Sequence, residues 1–85
     1  MTYKVLMVSR GAIDLSDGER AVRVFGEALL PIADNSPAFV VYVGSMKYVA
    51  PGHDGETVDA VTRQAVISAI TTHFSSRQTM VDFER

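Results

Sequence analysis

The stretch "AFVVYVGSMKYVA", residues 38–50, constrains the fold more than any other part of this chain. As a single strand it would be too long, and its interior glycine would interrupt it. As a hairpin it reads well: two apolar segments joined by Gly44-Ser45, a pair suited to a type II′ turn. Pro51 and Gly52 close the second segment.

The flanking segments fit around such a hairpin. Residues 3–9, "YKVLMVS", are apolar and β-branched almost throughout, as expected of a strand buried on both faces. After the connection "SRGAIDL", the stretch "SDGE" offers Ser16 as an N-cap with Glu19 three positions on, a capping box. The helix it would open carries Val22, Phe25 and Leu29 on one face, with Glu19, Arg23 and Glu27 as an i,i+4 ion ladder on another. Pro31 and "DNSP" would end it. A second helix is expected over residues 56–74, with Val58, Val61, Ala65, Ala69 and Ile70 inward. The closing "QTMVDFE" alternates, as a half-exposed edge strand does.

The expected order is therefore β-α-β-β-α-β, an α/β sandwich of the ferredoxin-like kind. A four-stranded sheet would carry both helices on one face, with the first and third strands central and parallel. The alternative treats residues 44–50 as irregular and leaves a three-stranded parallel β-α-β-α-β arrangement. Eighty-five residues make a single domain, 1–85, which buries only about 60–65% of its unfolded surface. The chain has no cysteine, so neither a disulfide nor a thiolate metal site supports it. The N-terminal apolar run is too short for a secretory signal core, and no apolar run approaches a membrane span. A cytoplasmic protein without membrane contact is expected.

Eight Lys and Arg stand against ten Asp and Glu, and the basic residues are scattered. Nucleic-acid binding usually needs a clustered positive footprint, so it is not expected here. Phosphate-loop, dinucleotide and serine-hydrolase signatures are absent, and no catalytic residues are assigned.

In the ferredoxin-like plan the loops after the first and third strands lie side by side, bringing "SRGAIDLSD" next to "PGHDGET". Loops 9–17 and 51–57 then form the candidate ligand site, with Arg10 holding an anion and His53 or Asp54 moving protons. Helix capping accounts for the acids more simply, because carboxylates collect at helix N-termini for stability alone. The two histidines, His53 and His73, would be separated by a helix roughly 25 Å long and cannot share an ion, so no metal or cofactor is assigned. His73, in the last helical turn, would stabilise the helix's negative end when protonated.

Two apolar surfaces exceed what one small core requires. With helices on one side only, Leu6, Val8, Val49 and Met80 would line the open sheet face, rimmed by Lys4, Lys47 and Asp82. Residues 64–76, "QAVISAITTHFSS", contain no acid or base, and their apolar positions cover more of the helix than one stripe needs. Ile67 and Phe74, offset from the main stripe, would touch another chain. The sequence thus points to a small protein-interaction module: a regulator, adaptor or stoichiometric inhibitor. It would bind another protein and also itself as a homodimer. The competing reading is a small enzyme or metabolite-binding domain that uses the paired loops.

Overall fold

A computed structural model of the chain describes residues 2–30, 37–49 and 57–84. It is a six-stranded mixed sheet with one long helix, which overturns both expected plans. Strands β1 (Lys4–Val8), β2 (Ala12–Ser16) and β3 (Ala21–Ala28) form an antiparallel meander. Beyond β3 lies β4 (Phe39–Tyr42), antiparallel to it, and then β6 (Val81–Glu84), parallel to β4. The two-residue β5 (Lys47–Tyr48) also pairs with β3, further along the same edge as β4. Helix α1 (Ala60–Ser75) lies between β5 and β6 in the chain.

Where a first helix is expected, the chain forms the β2–β3 hairpin. The Asp17 amide donates to the Arg20 carbonyl at 3.2 Å, leaving Gly18-Glu19 as a two-residue loop. Gly18 has φ +100°, so the loop carries its positive φ at the first central position, as type II′ turns do. The Asp17 carboxylate accepts from the amides of Glu19 and Arg20, and these bonds hold its pKa below the usual carboxylate value. Ser16 and Glu19 do not cap a helix; Ser16 ends β2 and Glu19 is the second residue of the loop. Ile13 and Leu15 are separated by Asp14, and Val22 and Val24 by Arg23, and all four apolar residues are fully buried. The β-branched period of two therefore prevails over the weaker i, i+3, i+7 pattern of Val22, Phe25 and Leu29.

The 38–50 stretch is not a hairpin either, because β4 and β5 pair with β3 and not with each other. The chain continues along β3 and steps out of register at a 3₁₀ turn, Val43–Ser45. Ser45 repairs the gap. Its hydroxyl accepts from the Phe25 amide at 2.8 Å and lies 2.6 Å from the Tyr42 carbonyl. One side chain thus satisfies backbone groups that an unbroken ladder would have paired. Gly26, nearby, sits so close to β4 that a Cβ would overlap the Val40 carbonyl and stand 2.5 Å from a ring carbon of Phe39.

Helix α1 begins at Asp59, whose carboxylate accepts from the Thr62 amide at 2.7 Å. It buries Thr62, Val66, Ile70 and Phe74, an i,i+4 row, against the sheet. Beyond the helix Gln78 adopts φ 58°, and the Phe74 carbonyl accepts from the amide and the hydroxyl of Thr79, each at 3.0 Å. The core joins Tyr3, Ile13, Leu15, Val22, Val24, Phe39, Val41 and Tyr48 from the sheet side with Val58, Val66, Ile70 and Phe74 from the helix side. Strand β1, expected at the sheet centre, is an edge strand with Leu6 and Met7 well exposed. No helix among the described residues is long and apolar enough to cross a membrane.

Candidate partner-binding surface

Alternation along the strands decides what the side of the sheet away from α1 displays. Val22 and Val24 point into the core, so Arg23, Phe25 and Glu27 point away from it. Register then aligns their neighbours in cross-strand rows. One row runs Met7, Asp14, Arg23, Lys47 across β1, β2, β3 and β5. The next has Ala12 opposite Phe25. Further along β3, Glu27 faces Val40, which faces Asp82, and Tyr42 lies opposite Glu84.

The open face is therefore graded. At one end stand Lys4, Arg23 and Lys47, with Asp14 paired to Arg23 at 2.7 Å. At the other end stand Glu27, Asp82 and Glu84. The two ends of β3, Arg23 and Glu27, are about 13 Å apart by strand rise. Between them lie the exposed aromatic rings of Phe25 and Tyr42. The Lys47 ammonium stands 5.0 Å over the Phe25 ring, a cation–π contact that keeps the charge at the rim. The Tyr42 hydroxyl donates to Glu27 Oε2 at 3.3 Å. Desolvation, reinforced by Glu27 and Glu84, raises the Tyr42 pKa and keeps the phenol a donor.

On the other side of the molecule, grooves flank α1. One of about 490 Å³ lies between residues 2–5 and the helix positions Ala65, Ser68, Ala69, Thr72 and His73. The other, of about 570 Å³, is lined by Val43, Gly44, Arg63, Gln64, Ile67 and Phe83. The charge-free helical run gains a physical reason from this. One row of α1 meets the core, and each adjoining row walls a groove.

The expected site residues are dispersed. His53 and Asp54 lie outside the described residues, so the proposed pairing of loops 9–17 and 51–57 has no described geometry. The Arg10 side chain is exposed, and its carbonyl accepts from the Ala28 amide at 2.9 Å, extending the β2–β3 ladder. Among the described residues no cluster of three or more His, Cys, Asp and Glu could hold a metal ion. Leu6 lies in a β-bulge of β1, where the register shifts between Val5 and Met7, and is 66% exposed. Val8 is exposed near the end of the same edge strand, and Val49 is half-buried beside β5. Ile67 lines the second groove. Phe74 is buried in the chain's own core, its ring 6.0 Å from that of Phe39.

His73 also differs from expectation. Burial, with Arg77 beside it, pushes its pKa below the usual histidine value. Arg77 Nη1 donates to the His73 carbonyl at 3.3 Å, so the arginine serves the helix's negative end instead. Sequence reading missed Phe25 and Tyr42 as central surface groups. The available signal was the alternation that buries Val22 and Val24 and leaves Phe25 outside.

A family model described as Immunity protein 74 matches residues 5–84. No curated protein and no solved structure matches.

Proposed function

This chain belongs to the Immunity protein 74 family, and we propose that it is a stoichiometric inhibitor that binds its partner toxin through the open face of the sheet. Immunity proteins are small inhibitor-like proteins that bind a partner toxin protein. The observation that supports this surface is the graded face itself: two exposed aromatic rings between a cationic end and an acidic end. Aromatic centres with charged margins are the composition of binding hot spots. The grading also imposes direction, because a toxin docked in reverse would oppose like charges.

Inhibition by this route needs no chemistry from the chain. The rings of Phe25 and Tyr42 supply desolvated contact area at small conformational cost, having few rotatable bonds. Lys4, Arg23 and Lys47 engage carboxylates on the toxin, while Glu27, Asp82 and Glu84 engage its basic groups.

The test is co-expression with the cognate toxin. Cells producing both proteins survive, and the two co-purify in equal amounts. A toxin that kills despite a folded, abundant chain refutes the reading.

A further inference from the structure

We infer that the groove between β6, the 3₁₀ turn and α1 takes up a carboxylate side chain of the partner toxin, an Asp or Glu flanked by apolar residues, with Arg63 as its receptor. The inference rests on the toxin-binding reading for the identity of the occupant, and it adds a second contact at the margin of the open face.

The place of Arg63 in the isolated chain is adverse on three counts. It is the fourth residue of α1, near the helix's positive end, and the first turn carries no acid to offset it. The Asp59 carboxylate, one turn back, is bound to the Thr62 amide instead. Arg63 is also half-buried, and its Nε is shielded from solvent with no hydrogen-bond partner. Among the described residues no carboxylate pairs with its guanidinium. An unpaired buried donor and a half-buried unpaired cation both cost folding free energy. Costs that the chain itself leaves uncompensated are expected where a partner binds.

The walls identify the occupant. Val43, Ile67 and Phe83 line the groove with apolar surface, and Gly44 leaves one side without a side chain. Arg63 is the only ionisable side chain among the lining residues. A carboxylate drawn in beside it meets the guanidinium fork with two oxygens and supplies the acceptor that Nε lacks. The apolar neighbours of that Asp or Glu then cover the walls, which a free phosphate would leave wet.

Continuity with the open face makes the toxin the source. Tyr42, exposed on that face, is followed directly by Val43 and Gly44 of the groove. In β6, Phe83 turns to the groove, while Asp82 and Glu84 turn to the open face and away from Arg63. Strand β6 is terminal in the strand order, so a toxin seated on Phe25 and Tyr42 reaches Arg63 across one edge strand. A second copy of this chain is a poorer occupant. Groove against groove would oppose two arginines, and groove against the acidic end of the open face is a head-to-tail contact that does not close into a dimer.

Arg63→Met keeps the apolar stem and removes both the charge and the unpaired donor, so it gives two readouts of opposite sign. The isolated variant should melt higher than the parent by roughly 4 °C or more. Its affinity for the cognate toxin should fall by roughly tenfold or more. An arginine that only supports the fold would lower Tm. Among the toxin's acids, one alanine substitution should weaken binding to the parent chain and cost nothing further against Arg63→Met. A toxin-free arm uses sodium butyrate, a carboxylate with an apolar tail. It should shift the Arg63 Nε–Hε signal and the amides of Val43, Gly44 and Ile67 saturably in ¹H–¹⁵N spectra, where sodium phosphate and sodium chloride at equal ionic strength do not. A lower Tm or parent-like toxin affinity in Arg63→Met, butyrate that leaves these signals unmoved, or phosphate that moves them as strongly would each overturn the inference. So would a dimer of the chain that Arg63→Met dissociates. Unchanged toxin affinity in Arg63→Met, beside a loss in Phe25→Asp, Tyr42→Asp, leaves the toxin reading standing. A toxin that ignores the parent chain refutes that reading, and butyrate then decides the carboxylate site alone.

Discussion

The Arg23 guanidinium reaches Asp14 across the β2–β3 ladder, Nε to Oδ1 at 2.7 Å, because register sets the two Cα atoms opposite each other. A second contact, Nη2 to Oδ2, lies at 3.3 Å. The pair is partly exposed, with side-chain exposures of 42% and 24%, so salt and solvent weaken it. Its value lies in holding one cation of the open face in a fixed position before a partner arrives. Asp14→Ala should lower Tm by about 5 °C or less, and the difference should shrink in roughly 1 M salt. Thermal melts of the variant and the parent at both ionic strengths measure this.

Close approach at Gly26 gives a sharper expectation. A methyl group there meets the Val40 carbonyl and the Phe39 ring, neither of which can retreat without shifting β4. Gly26→Ala should destabilise by about 1–3 kcal/mol. Gly11→Ala is the control, since nothing lies within 4 Å of its added Cβ and its φ is not in the left-handed range. Urea unfolding should separate the two variants clearly.

Phe74 was expected at an interface and instead fills the core beside Phe39. Phe74→Ala should therefore cost about 3–5 kcal/mol of stability. The test is the unfolding midpoint of the isolated chain, without any partner. A Phe74→Ala variant as stable as its parent would place the ring at the surface after all.

The depressed pKa values set the acid response. The folded state resists protonation of His73, so the unfolded chain binds more protons once pH falls below about 6.5. Stability should decline through that range and level off below the folded pKa. Asp17 and Asp59, both held below 3.8 by accepted amide hydrogen bonds, contribute stability above that value. Their share is lost as pH falls through their folded pKa values. Unfolding curves across the pH range should show two steps, and His73→Gln should remove the upper one.

The sequence carried the fold unevenly. Helix α1 was legible because a charge-free run of apolar and small residues ends near a histidine, yet its start lies at Asp59, beyond the Glu56 that "DGE" suggested. Residues 16–30 read as a helix because Val22, Phe25 and Leu29 satisfy a helical period, while Val22 and Val24 satisfy the strand period that β3 adopts. Single-residue propensity cannot arbitrate such a case; the pairing of β3 with strands on both sides does. The "DGE" at 17–19 also fits a helix cap and a tight hairpin loop alike, and only the positive φ of Gly18 distinguishes them. The 38–50 segment failed for a different reason. Sequence alone does not say that Ser45 will mend a broken ladder and let one long edge continue past Gly44. Lys4, Lys47 and Asp82 were legible as open-face charges, since alternation alone assigns them. The aromatic centre is not, because a helical period over residues 16–30 hides Phe25.

The most direct test of the account is the affinity of the cognate toxin for two surface variants, measured by calorimetric titration. The double variant Phe25→Asp, Tyr42→Asp should weaken binding by roughly 100-fold or more while the chain stays folded. Val61→Asp, on the exposed outer face of α1, should bind one toxin molecule per chain as tightly as the parent. Unchanged affinity in the double variant, or a comparable loss in Val61→Asp, would contradict the assignment of the toxin to the open sheet face.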